Sequence, residues 1–115
     1  MKNNTIIDNR MQNLGITRKY KGYYQLKLAI ELALEDEDRL CSVAKNLYRP
    51  VAEICGCSQC SVYRNICTLS DNIWNYHYDA LSRIAVFKLT NKITATDMIA
   101  ILVADILRSQ YNNVS

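Results

Sequence analysis

Cysteine is concentrated in one stretch of this 115-residue chain, Cys55-x-Cys57-x2-Cys60, with Cys67 seven residues further on. Thiolates at that density can hold Zn²⁺ or an iron–sulfur cluster. The spacing argues against it. Cys60 and Cys67 are expected on one helix two turns apart, about 10 Å along its axis, whereas four thiolates around one zinc ion need sulfur atoms roughly 3.7–4 Å apart. Cys55 is expected at the end of the preceding helix, on its buried side. A redox pair at Cys57 and Cys60, with CxxC spacing at a helix N-terminus that lowers a thiol pKa, is the lesser alternative. His77, in Asn75-Tyr76-His77-Tyr78, has no acid or nucleophile spaced to work with it. There is no Gly-rich phosphate loop, paired-carboxylate site or nucleophile–base motif, so neither an enzyme nor a metal or cofactor is expected.

The same stretch carries a second chemistry. Ala52, Gly56 and Val62 have the spacing of a helix-turn-helix: a small residue where two helices cross, a residue that tolerates positive φ in the turn, and an apolar anchor early in the second helix. That second helix, over about residues 58–74, would lie in a DNA major groove. Gln59, Ser61, Tyr63 and Arg64 are then the candidate base contacts. Arg64 can pair with guanine and Gln59 with adenine, each good pair being worth about 1–3 kcal/mol of discrimination. Ser58, at the N-cap, stands where the helix dipole and free N–H groups favour a phosphate. Lys21, Lys45, Arg49, Lys88 and Lys92 are further phosphate candidates by charge and position. Against this reading, residues 58–74 carry no net charge, because Arg64 (+1) is offset by Asp71 (−1).

These residues need a helical frame, and the chain offers one. With three Gly and one Pro in a composition half apolar, an all-α fold is expected, a compact bundle of about six helices in one domain over residues 1–115. Ile6, Ile7, Met11 and Leu14 form a short stripe that ends at Gly15. Tyr23 to Leu34 reads as a central helix, with Leu26, Ile30, Ala33 and Leu34 on one face. Asp38 can cap a third helix carrying Leu40, Val43, Ala44 and Leu47. It is expected to close near Tyr48, because Pro50 disfavours helical geometry at Arg49 and suits the first turn of a new helix. In the candidate recognition helix Val62, Ile66, Leu69 and Ile73 fall on one side, while Cys60, Arg64, Cys67 and Asp71 fall on the other. A short helix near Asp79 to Val86 follows. Thr94 to Asp97 then cap a long amphipathic helix from Met98 to about Gln110. Both ends should fray.

Fourteen Lys and Arg against eleven Asp and Glu leave +3, compatible with nucleic acid without requiring it. Bases cluster at Arg18-Lys19-Lys21. The acidic run Glu35-Asp36-Glu37-Asp38 reads as a solvated helix junction. No apolar segment is long enough to span a bilayer, and five cysteines without a secretory signal point to reduced thiols in the cytoplasm.

Leu14-Gly15-Ile16, Lys21-Gly22-Tyr23, Leu47-Tyr48, Val62-Tyr63-Arg64-Asn65-Ile66, Trp74 and Val103-Ala104-Asp105-Ile106-Leu107-Arg108 together resemble the C-terminal DNA-binding effector domain of stage-zero sporulation protein A, over about residues 14–108. The resemblance implies a six-helix domain whose recognition helix enters the major groove of short promoter boxes, bound as tandem copies or a homodimer on double-stranded DNA. Arg64 matches a DNA-contacting arginine of that family. Ser61 and Cys67 stand where the family has arginines, and Tyr63 where it has glutamate. Asn75 to Lys92, a few residues shorter than in the family, lies where the family contacts RNA polymerase or a neighbouring copy. About a dozen residues precede the family-like core, so no receiver domain is expected here. The rival expectation is an adaptor or antagonist that kept the fold, lost the DNA, and pairs with a related regulator or with itself.

Overall fold

In the computed structural model, which describes residues 2–114 and the side chains of residues 5–110, helices account for all regular structure. Among the described residues there are six α-helices and no strand: α1 (Lys2–Asn13), α2 (Tyr23–Glu35), α3 (Arg49–Cys55), α4 (Gln59–Tyr76), α5 (Tyr78–Ile84) and α6 (Ala95–Val114). The fraying expected of the two ends lies outside the fully described residues.

The central helix is α2, packed against α1, α3, α4 and α6. Its Tyr23, Leu26, Ala29, Ile30 and Ala33 are buried, the i, i+3, i+4, i+7 spacing of a core-facing stripe. They meet Ile7 and Met11 of α1, Val62, Ile66, Leu69 and Ile73 of α4, and Met98, Leu102 and Ile106 of α6 in one cluster. Each large aliphatic side chain so placed contributes roughly 1.5–3 kcal/mol over an exposed one.

Polar ties hold α1 in place at both edges of this core. Asp8 accepts hydrogen bonds from the Tyr23 hydroxyl and from Lys27 Nζ, the latter at 3.1 Å. Burial by itself would raise the Asp8 pKa, but the hydrogen bonds from Tyr23 and Lys27, with the Lys27 charge, outweigh it and hold the carboxyl below its ordinary value. Arg10 pairs with Asp105 of α6 at 2.7 Å. α1 closes at Gly15 as its sequence predicts, with the N–H groups of Gly15 and Ile16 returning to the carbonyls of Gln12 and Met11.

Between α2 and α3 the structure departs from the expected pattern. Asp36, not Asp38, is the cap: its side chain accepts from the Asp38 N–H, and a 3-10 turn (Glu37–Cys41) follows. A π-helical turn (Ala44–Tyr48) then runs without a break into α3, so no helix ends at Tyr48. Arg49 is helical, at φ −63 and ψ −53, although Pro50 follows it. Two features allow this. The wider π turn, in which the Arg49 N–H reaches back to Ala44 O, gives room for the proline ring. Pro50 has no N–H to offer the carbonyl four residues before it, that of Asn46, and Arg39 Nη1 supplies the missing donor at 2.7 Å.

The C-terminal half follows its sequence pattern closely. α4 begins after Ser58 and α5 ends at Ile84, where Ala85 turns extended. Thr94 and Asp97 exchange side-chain-to-backbone hydrogen bonds at 3.1 Å each, a capping box that opens α6.

Candidate nucleic-acid interface

The turn between α3 and α4 is built on Gly56, at φ 69 and ψ 35, whose N–H closes α3 on Ala52 O. A Cβ there would meet nothing within 4 Å, so the demand for glycine comes from the left-handed backbone and not from space. Ala52 and Val62 are buried at the crossing. This arrangement is consistent with a helix-turn-helix having α4 as its second helix.

Ser58 caps α4: its Oγ accepts the Ser61 N–H at 3.1 Å and donates to Ser61 Oγ at 3.0 Å. The N–H groups of Gln59 and Cys60 lie in the first turn, where a helix has no carbonyl for them. Burial divides α4 as the sequence predicts. Val62, Ile66, Leu69 and Ile73 face the core, while Cys60, Arg64 and Asp71 are exposed and Cys67 is half-buried. Among the described residues no carboxylate pairs with Arg64.

The two flanks of this outer face differ. On one, the loop Lys19–Gly22 lies beside Asn65 and Thr68 of α4. A Cβ on Gly22 would lie 3.0 Å from the Asn65 carbonyl oxygen, tight enough that the loop or α4 would have to give by a few tenths of an ångström. Gln25 of α2 fastens the same side. It accepts from Asn65 Nδ2 at 3.0 Å and donates to Cys57 Sγ at 3.6 Å, touching both α4 and the turn before it.

On the opposite flank, Gln59, Cys60 and Tyr63 border an apolar groove of about 820 Å³ whose far side includes Leu40, Val43 and Tyr48. The Tyr63 ring rests on Tyr48, centroids 5.8 Å apart, and its hydroxyl interacts with Cys67 one turn on, which raises the Tyr63 phenol pKa. Burial, and next the neighbouring Cys67, pushes the Tyr48 phenol up to about 12.

Not every predicted phosphate contact reaches this face. Lys92 does, through a 2.9 Å ion pair with Asp71 on the outer face of α4. Lys21 does, in the flanking loop, and brings Lys19 with it. Arg49 is paired with Glu53 of its own helix at 3.6 Å, while Lys45 and Lys88 are exposed and have no ion pair among the described residues. Lys19 went unassigned in the sequence pattern. Its signal was the run Arg18-Lys19-Lys21; the approach of Gly22 to Asn65 was not readable there.

A protein-family model described as sporulation initiation factor Spo0A C terminal matches residues 7–106. The chain belongs to this family. None of the curated proteins compared with the chain matches it. Spo0A C-terminal domains are DNA-binding effector domains of a sporulation response regulator and not an enzyme family, so this member is a DNA-binding regulator in general terms. Among the described residues no helix is long and apolar enough to cross a membrane.

Within this Spo0A-type domain the cysteines depart from one expectation. Cys55 is exposed, not buried, as are Cys41, Cys57 and Cys60. α3 is only seven residues long and buries Val51 and Ala52. By Ile54 and Cys55 it has passed the edge of the core, and helical periodicity no longer decides what is covered. Among the described residues no three His, Cys, Asp or Glu side chains are grouped to hold a metal. His77 does structural work instead. It stands between α4 and α5 with its ring against Gly15, where an added Cβ would come within 2.1 Å of it.

Proposed function

We propose that the chain is a sequence-specific transcriptional regulator that lays the N-terminal half of α4 in the DNA major groove. Arg64 and Gln59 carry base readout, Ser61 and Tyr63 border it, and the N-terminus of α4 at Ser58 receives a phosphate. Lys19 and Lys21 take neighbouring phosphates on this reading; Lys92, held by Asp71, and Lys45, Arg49 and Lys88 are secondary candidates. The observation that carries it is an exposed, unpaired Arg64 at the centre of the outer face, beside a basic loop held against α4 by Gly22. Tandem or homodimeric binding, and a contact with RNA polymerase through residues 75–92, belong to the same proposal.

A fluorescence titration against promoter-like and random duplexes over a range of salt tests it. The expected result is affinity that falls steeply with salt, a preference for specific over random sequence, and a loss of about 1–3 kcal/mol of specific binding for Arg64→Ala. Absence of binding at low salt would instead favour an adaptor that pairs with a related regulator. The net-neutral α4 and the apolar groove beside Tyr63 are the observations behind that second reading.

A further inference from the structure

Three thiols, Cys55, Cys57 and Cys60, stand exposed around the turn that sets the angle between α3 and α4. The Cα separation of residues flanking a single residue depends on that residue's φ and ψ alone. Gly56 has helical-size angles of left hand, 69 and 35. The Cα atoms of Cys55 and Cys57 are therefore about 5.4 Å apart, the i to i+2 distance of a helix of either hand. That is inside the range of roughly 4.4–6.8 Å that a disulfide spans. Gly56 has no side chain to stand between the two sulfur atoms, and nothing lies within 4 Å of where its Cβ would be. The Cys55 thiol already senses its neighbour: burial first, then Cys57, raises its pKa. Cys60 is placed differently, lining the groove beside Tyr63 while Cys57 Sγ is turned to Gln25.

We propose that Cys55 and Cys57 form a reversible thiol-oxidation site for hydroperoxides, which closes a disulfide across Gly56 and loosens the DNA-facing helix. In the first step the Cys57 thiolate attacks one oxygen of the hydroperoxide. This gives a sulfenic acid and expels hydroxide, or alkoxide from an organic peroxide, which leaves as water or alcohol after taking the proton that the Cys57 thiol released. The Cys55 sulfur, as its thiol ionises, then displaces the sulfenic hydroxyl, which takes the proton released by Cys55 and leaves as water, so two thiols and one peroxide become one S–S bond and two small products. A dithiol reductant reverses the reaction by exchange.

The consequence for α4 follows from what Cys57 holds. Its Sγ accepts from Gln25 Nε2, and its N–H donates to Ala52 O at 3.0 Å. Drawing Sγ toward Cys55 frees the end of Gln25 that ties the turn to α2, leaving only the bond to Asn65. Ser58, the cap of α4, is the next residue and moves with the turn. The effect on DNA rests on the function proposed above; the disulfide does not.

The full chain, reduced or treated with hydrogen peroxide, is followed by intact mass, by differential alkylation of each cysteine, and by duplex titration. The expected result is an intramolecular loss of two hydrogens with Cys55 and Cys57 protected. Duplex affinity should fall about tenfold and return after dithiothreitol. Cys60→Ser should behave as the parent, whereas Cys55→Ser should form no such bond and bind DNA equally with and without peroxide. Circular dichroism checks that each variant is folded. The same disulfide in Cys55→Ser, a gain of oxygen without S–S formation, or a disulfide that leaves DNA affinity unchanged overturns the proposal. A protein that closes the disulfide but binds no duplex even when reduced keeps the oxidation site and removes the DNA function.

Discussion

Asp71→Asn should tighten DNA binding, and the size of the gain can be worked from the structure. Residues 58–74 carry one Arg and one Asp, so the substitution takes this helix from zero to +1. It also releases Lys92, held by Asp71 at 2.9 Å with side chains 55% and 52% exposed. An ion pair that open contributes about 0–1 kcal/mol to the fold, so the variant stays folded. If the freed Lys92 gains one phosphate, log K against log salt steepens by about 0.9. At 0.1 M salt that is about eightfold in affinity, near 1.2 kcal/mol, falling to about threefold at 0.3 M. Anisotropy titrations at several salt concentrations read both quantities. The gain should be equal on specific and random duplexes, because a phosphate carries no sequence information. Adding Lys92→Ala should return the slope to that of the parent. An unchanged slope and affinity in folded Asp71→Asn would refute the idea that the distal half of α4 runs along the phosphates.

Replacing Lys19 and Lys21 together by Ala should lower the salt slope by about 1.8 and weaken binding to every sequence alike; a loss confined to specific duplexes would show that the loop reads bases instead. Arg39→Ala should cost about 1–2 kcal/mol in urea unfolding, because the Asn46 carbonyl loses the donor that Arg39 supplies, and less in a Pro50→Ala background, where an N–H returns. Equal costs in both backgrounds would break the link between Arg39 and Pro50. For Asp8 the folded pKa lies below its ordinary value of 3.8, so the folded state binds fewer protons. The stability Asp8 contributes, about 1–2 kcal/mol through its hydrogen bonds to Tyr23 and Lys27, is present at neutral pH and is lost as pH falls through the folded pKa, below about 4. Unfolding of Asp8→Asn should therefore differ from the parent at pH 7 and converge with it near pH 2; a gap that persists in acid would assign the effect to packing.

The fold was readable where one helix decides its own burial. The spacing of Val62, Ile66, Leu69 and Ile73, the turn at Gly56, and the caps at Ser58 and Thr94 are local patterns, and each appears where the sequence places it. Misreadings arose where distant residues intervene. Pro50 would break a helix on local grounds, but Arg39, eleven residues earlier, repairs the carbonyl it orphans. Cys55 has core periodicity and stands past the edge of the core. Asp71 and Lys92 are twenty-one residues apart, so their pairing has no signature in sequence spacing.

The surface of α4 is the hardest part to read from sequence because its electrostatics are set by its neighbours. Taken alone it is neutral, with Arg64 cancelled by Asp71. In the fold, Lys92 screens Asp71 from above, and the loop carrying Lys19 and Lys21 adds positive charge along the Asn65 and Thr68 side. The field across α4 is therefore lopsided: cationic toward the Gly22 loop and apolar toward the groove under Tyr63. On the proposed function, a polyanion approaching such a face would be drawn to the loop side first, with Arg64 reaching inward from that edge. On the proposed function, the close approach at Gly22 keeps Lys19 and Lys21 beside that edge. A Cβ at Gly22 would lie 3.0 Å from the Asn65 carbonyl oxygen and from a Leu69 methyl, so any side chain there would shift this contact by a few tenths of an ångström.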